Sequence, residues 1–151
     1  GIGQGTVQAT PLLMASVAQG IANGGVVSPT PIAVEKDLQS DREPIRVTSK
    51  KTAAQVGELM VAVVTQGTGF AAAISEGQVA GKTGTAELGA RKQFVNSWVI
   101  GFFPYENPKY AFATVMERGP VTNLTGSTYV MRQLFDWMSI HTPEYFDNQI
   151  E

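Results

Sequence analysis

The 151-residue sequence has no cysteine and a single histidine, His141. The first absence excludes disulfides and thiolate metal sites. The second argues against a histidine-based metal centre or a Ser-His-Asp triad built from this chain alone. No run reaches the roughly 18 apolar residues that a membrane span requires. No basic patch stands out at a formal net charge of -2, so nucleic acid is not an expected partner. Internal repeats and low-complexity stretches are missing too. Charged residues make up 16% against 43% hydrophobic, the balance of a chain that buries a core rather than one that stays disordered. At this length the expectation is one domain. There is neither an initiating methionine nor a signal peptide, so the chain is expected to be a piece of something longer.

What the sequence does hold is concentrated in Val79-Ala80-Gly81-Lys82-Thr83-Gly84-Thr85-Ala86-Glu87. One cation, two hydroxyls and two glycines stand within a few residues. Read as a strand, alternation puts Lys82, Gly84 and Ala86 on one face and Thr83 and Thr85 on the other. Glycine weakens a strand interior, and is useful there where something must approach the backbone closely. The stretch therefore reads as a docking edge for a polar, anionic ligand.

The remaining elements follow in order. Gly1-Ile2-Gly3-Gln4-Gly5 departs from the dinucleotide fingerprint, because the final glycine of G-x-G-x-x-G would fall on Thr6. It reads as a turn or a ligand-adjacent loop. Thr10-Pro11 predicts a helix start, with Leu13, Val17 and Ile21 on one apolar face and Asn23-Gly24-Gly25 as the stop. Residues 26–48 carry Pro29, Pro31 and Pro44 and a charged run, and predict short extended pieces on a solvated surface. Ser49 predicts the cap of a second helix through about Gln66, with Val56, Leu59, Met60, Val63 and Val64 inward and Gly67-Thr68-Gly69 ending it. Phe70–Ile74 reads as a short apolar turn. Strands are expected at Val95–Phe103 and Tyr110–Glu117, both apolar on two faces, joined by a turn at Pro104–Lys109. A last helix is expected over about Gly126–His141, with Val130, Leu134, Phe135 and Met138 inward, then a frayed tail after Pro143. The predicted fold class is α+β, an antiparallel sheet flanked by helices.

At this point the chain resembles a family, the penicillin-recognising serine D,D-peptidases, and within it the C-terminal half of the transpeptidase domain of class B penicillin-binding proteins. The resemblance rests on four stretches in family order. These are Gly1–Gly5 with Thr10-Pro11-Leu12 and Ile21–Gly25, then Gly81-Lys82-Thr83-Gly84-Thr85-Ala86-Glu87, then Trp98–Pro104, and last Pro108-Lys109-Tyr110-Ala111. It covers Gly1 to about Ile140, and Lys82-Thr83-Gly84 stands for the third of the family's motifs. The resemblance implies residues 1–151 as the C-terminal part of a single transpeptidase domain. It implies catalytic roles for Lys82 and Thr85 and substrate binding by Thr83, Gly84 and Thr85. Thr85 N–H would supply one oxyanion donor. The Thr83 and Thr85 hydroxyls would hold the terminal carboxylate of a stem peptide or a β-lactam. Gly84 would let the acyl group lie against the strand. No catalytic role is expected of Glu87, and no metal or organic cofactor.

The S-x-x-K element that bears the acylated serine, and the S-x-N element, are both missing where the family places them. The resemblance therefore implies a partner, the serine-bearing N-terminal part of the same domain, and an inactive chain without it. It also implies an anchored location on the outer face of the bacterial cytoplasmic membrane. Four other readings stay open. A phosphate loop would need glycine at position 76, where the chain has Glu76. A β-lactam sensor or catalytically dead relative would share the fold, and a serine β-lactamase would share Lys-Thr-Gly. An unrelated α+β domain is the bland alternative.

Overall fold

A computed structural model describes residues 6–30, 43–74, 77–122 and 126–142. Helix α1 spans Pro11–Ala22, and the Thr10 side chain accepts from Leu13 N at 3.2 Å. Proline at the first helical position costs nothing there, since its N–H would lack a partner anyway. The chain leaves α1 through Gly24 (φ 63°) and Gly25 (φ 92°), the left-handed conformation that glycine adopts without strain. Strands β1 (Val26–Val27) and β2 (Ile45–Arg46) form a small antiparallel pair. Helix α2 spans Lys50–Gln66 under the expected Ser49 cap, whose hydroxyl accepts from Thr52 N at 3.0 Å. A single 3-10 turn, Phe70–Ala72, leads into the sheet.

The sheet is an antiparallel meander of β3 (Ala80–Leu88), β4 (Phe94–Phe103) and β5 (Tyr110–Pro120), with β4 central. Helix α3 (Ser127–His141) follows. The short connections dictate this topology, because a five- or six-residue link can join only antiparallel neighbours. The turn after β4 is closed by Lys109 N to Phe103 O at 3.1 Å and tied to the approach of β3 by Tyr105 N to Gln78 O at 2.8 Å.

Two clusters bury the two sheet faces. On one, Met60 of α2 meets Ala80 and Phe102, with Ile21 and Ala22 of α1 alongside. On the other, Met131 and Phe135 of α3 meet Val99 and Phe103, together with Val64 of α2 and Val79. Phe135 sits 5.3 Å, centroid to centroid, from both Phe103 and Phe112. Each fully buried Phe or Val side chain here is worth roughly 1.5–3 kcal/mol. Gly101 is the tightest point. A Cβ there would lie 2.2 Å from the Ala80 carbonyl and 2.7 Å from the Phe112 ring, so only glycine lets β3 and β5 close on β4.

The helix faces differ from expectation in part. Leu13 and Val17 of α1 are exposed (Leu13 at 54%), while Ala18 and Gly20 are buried and Ile21 packs as expected. Leu59 of α2 is 67% exposed, while Ala53, Gly57, Met60 and Val64 are buried. On α3, Val130 and Leu134 point outward, and Ser127, Met131 and Phe135 face the sheet. The cause is common to all three. Each helix is apolar on more than one face, so periodicity alone does not select the inner one. β5 also runs three residues past the expected Glu117. The opening Gly1–Gly5 turn, most of the charged run in 35–43 and the tail after Pro143 lie outside the described residues. Among the described residues no helix is long and apolar enough to cross a membrane.

Candidate active site on the open edge of the sheet

Lys82, Thr83, Gly84 and Thr85 occupy the first two-thirds of β3, in unbroken register with β4. Lys82 lies opposite Ile100, Thr83 opposite Val99, Gly84 opposite Trp98 and Thr85 opposite Ser97. This is the expected strand with the expected alternation, and its partner is the strand expected at Val95–Phe103. Among the described residues β3 has a neighbour on one side only. Lys82, Gly84 and Thr85 are exposed and Thr83 is half-buried. Lys82 Nζ donates to the Thr83 carbonyl at 2.5 Å. That carbonyl therefore belongs to the backbone set facing the open edge. With a repeat of two, the Thr85 N–H faces the same edge. The strand thus offers an ammonium, two hydroxyls and an N–H on the edge that has no partner strand among the described residues, the donor set an anion requires.

Several contacts hold this strand in place. The two glycines differ in what surrounds them. A Cβ on Gly81 would lie 3.1 Å from Val64 Cγ2, so its close neighbour is α2 rather than a ligand. A Cβ on Gly84 would meet only Trp98 Cβ, at an ordinary 3.5 Å, which leaves the surface above it open. The Thr83 hydroxyl lies 2.7 Å from the hydroxyl of Thr68, in the loop that ends α2. At the far end of β3, Glu87 pairs with Lys92 at 2.6 Å. The carboxylate, first as hydrogen-bond acceptor and then as charge, raises the Lys92 pKa above 10.5.

Opposite Thr85, Ser97 performs a structural task. Its Oγ accepts from Ser127 N at 3.1 Å and lies 3.1 Å from Ser127 Oγ. Gly126, at the cap position of α3, has no side chain to offer, so Ser97 caps α3 from β4. One residue earlier, the β4–β5 pairing slips at a bulge. Arg118 takes φ 54° there, its N–H donates to Asn96 Oδ1 at 2.9 Å, and its guanidinium lies 5.3 Å from the centre of the Phe94 ring. Bulges commonly mark strand segments whose aim matters.

Two hollows lie elsewhere. One of about 500 Å³ runs between α1 and the start of β5, lined by Leu12, Ala15, Ser16 and Tyr110. Another of about 620 Å³ lies between α1, α2 and Tyr105. Neither touches residues 82–85, because a strand edge is a convex half of a cleft and has no opposite wall among the described residues. Thr68, Ser97 and Asn96 are the residues that sequence reasoning missed. Only the Gly67-Thr68-Gly69 punctuation offered a signal, since a residue held between two glycines at a helix end is displayed by a tight backbone turn.

Residues 1–136 match the family described as the penicillin binding protein transpeptidase domain. The chain is 40% identical over 131 residues to peptidoglycan D,D-transpeptidase PbpA of Mycolicibacterium smegmatis, covering 78% of this chain and 26% of that protein. It is 33% identical over 141 residues to penicillin-binding protein 3 of Bacillus subtilis, covering 88% and 20%. Among solved structures it is similar to penicillin-binding protein 3 of Mycobacterium tuberculosis complexed with aztreonam, with a TM-score of 0.78 at 28% identity over 94% of this chain and 37% of that one. It is also similar to the imipenem acyl-enzyme complex of M. tuberculosis penicillin-binding protein A, with a TM-score of 0.70 at 34% identity over 89% and 32%. The chain spans about a quarter of the length of the PbpA relatives it matches.

Proposed function

Because this chain belongs to the penicillin-binding protein transpeptidase domain family, with its fold and its Lys-Thr-Gly strand, we propose that it is the Lys-Thr-Gly-bearing part of a peptidoglycan D,D-transpeptidase. In this reading residues 1–151 form the C-terminal part of one domain. The remaining part supplies the acylated serine and packs against the open strand edges. The complete protein cross-links stem peptides through an acyl-serine, is acylated by β-lactams, and works on the outer face of the cytoplasmic membrane, anchored by a segment outside this chain.

Each residue then has a task. Attack by the serine on a D-alanyl-D-alanine carbonyl, or on a β-lactam ring, drives its oxygen to an oxyanion. The Thr85 N–H, facing the open edge, donates to that oxygen, and one such donor is worth roughly 3 kcal/mol. The Thr83 and Thr85 hydroxyls donate to the substrate carboxylate. Lys82 adds positive charge beside that carboxylate and exchanges the Thr83 carbonyl for a hydroxyl of the serine-bearing part. Gly84 keeps the strand surface flat where the acyl group lies. Other donors in the binding of the peptide belong to the other part of the domain.

The observation that carries this reading is the conjunction on one strand edge of an exposed Lys82 with the Thr83 and Thr85 donors and the bare surface at Gly84. The test is acylation of the complete protein by a fluorescent penicillin, read by intact mass. A covalent adduct of one penicillin, lost or strongly slowed in Lys82→Ala, is the expected result. No adduct on the folded protein would refute it. An adduct on a protein that fails to transfer the acyl group of a D-alanyl-D-alanine donor peptide to an acceptor amine would identify the sensor reading instead.

A further inference from the structure

We infer that Thr68 is a positioning residue for anion recognition, orienting the Thr83 hydroxyl so that its proton points at the substrate carboxylate. This rests on the assignment of Thr83 to that carboxylate. The two hydroxyl oxygens lie 2.7 Å apart, a full-strength O–H···O distance, across fifteen residues of sequence.

The backbone builds this contact deliberately. Gly67 N and Gly69 N both donate to the Val63 carbonyl, at 3.1 and 2.9 Å. Side chains at either glycine would crowd the Val63 backbone, with a Cβ at 3.0 Å for Gly67 and 3.1 Å for Gly69. The loop thus folds back tightly on the end of α2 and displays Thr68 between the two. Helix α2 is itself seated against β3 through Val64 over Gly81. Gly81 and Thr83 share a face of β3, so the same docking that buries Val64 delivers Thr68 to Thr83 one strand repeat further on.

A hydroxyl has one proton and two lone pairs. If Thr83 donates to Thr68, its proton is spent and its lone pairs meet an incoming carboxylate. If Thr68 donates to Thr83, the Thr83 proton is free for the carboxylate, and the two bonds in series polarise each other. An anionic ligand selects the second arrangement. Thr68 therefore makes Thr83 a better donor without touching the ligand. A neutral ester carbonyl, a weaker acceptor than a carboxylate, gains less from the relay.

The experiment uses the complete transpeptidase, benzylpenicillin and its methyl ester, and the variants Thr68→Val, Thr68→Ser, Thr83→Val and the Thr68/Thr83 double valine. Thr68→Val is expected to weaken the initial complex with benzylpenicillin about three- to tenfold, the worth of one neutral hydrogen bond. The limiting acylation rate should stay the same, as for uniform binding. Thr68→Ser should keep parent-like binding, the ester should lose distinctly less than the acid, and the double variant should be no weaker than Thr83→Val. Normal benzylpenicillin binding in Thr68→Val, with Thr83→Val impaired, overturns the role of Thr68 alone. Equal losses for the ester and the acid, or fully additive losses in the double variant, also overturn it. Normal binding in Thr83→Val overturns the carboxylate assignment and the relay together. Should Thr68→Val fail to fold, Thr68→Ala in the same assay carries the same outcomes.

Discussion

One substitution, glycine to alanine, should have three different outcomes at three positions of this sheet. At Gly101 the new Cβ would stand 2.2 Å from the Ala80 carbonyl oxygen, about 1.2 Å short of ordinary contact, and 3.1 Å from Gly81 Cα. These obstacles are backbone atoms of the neighbouring strand and cannot rotate away. Relief requires β3 to slide off β4, which disturbs Lys82 and Thr85 as well. Overpacking of this kind costs about 1–3 kcal/mol, and alanine returns only about 0.4–1 kcal/mol through the unfolded chain. A net loss of about 2 kcal/mol is expected, a fall of roughly 1 M in the urea midpoint. At Gly81 the only close neighbour is the movable Val64 Cγ2 at 3.1 Å, so the loss should be smaller. At Gly84 the Cβ fits at 3.5 Å and stability should hold or rise slightly, while acylation by penicillin should slow if the acyl chain lies there as proposed. Urea unfolding of the complete domain, with acylation rates on the same preparations, measures both effects. A Gly101→Ala domain as stable as the parent would refute the packing argument. A Gly84→Ala domain that unfolds early would refute the view of that surface as open.

Thr85→Val keeps the shape and the N–H but removes the hydroxyl proposed to bind the substrate carboxylate, a loss of about 1.5–3 kcal/mol. Stopped-flow acylation should slow roughly ten- to a hundredfold, and Lys82→Ala should slow it more; parent-like rates in both would dismiss the assigned roles. Ser97→Ala removes the side chain that, among the described residues, caps α3 and strands the buried Ser127, so thermal unfolding should report a loss of about 1 kcal/mol, with Ser97→Thr milder. The 151-residue chain by itself should take no label from a fluorescent penicillin, and an adduct in its intact mass would place a nucleophile within it. The Glu87–Lys92 pair contributes whatever stability it has below the ordinary lysine value of 10.5 and loses it as pH climbs through the raised value. Unfolding midpoints of Lys92→Ala and the parent should therefore converge at strongly alkaline pH, and a gap that persists there would deny the linkage.

The sequence by itself determined whatever depends on a few adjacent residues. The caps at Thr10 and Ser49, the stops at Asn23–Gly25 and Gly67–Gly69, and the three strands and their turns were legible because capping, positive φ and alternation are local chemistry. The same locality made Lys82–Thr85 readable as a two-faced strand with its donors in order. Only the tertiary structure decided which flank of each helix turned inward. Leu13, Leu59 and Leu134 are as apolar as the residues that pack, and burial goes to the side that fits its neighbour closely, which here is Ala18, Gly57 and Met131. Contacts between distant segments were equally invisible. Ser97 is an ordinary strand residue until Gly126 arrives without a side chain, and Thr68 is a loop residue until α2 settles onto Gly81 and carries it to Thr83. Such pairs are set by close packing of whole elements in three dimensions, and no period along the chain encodes them.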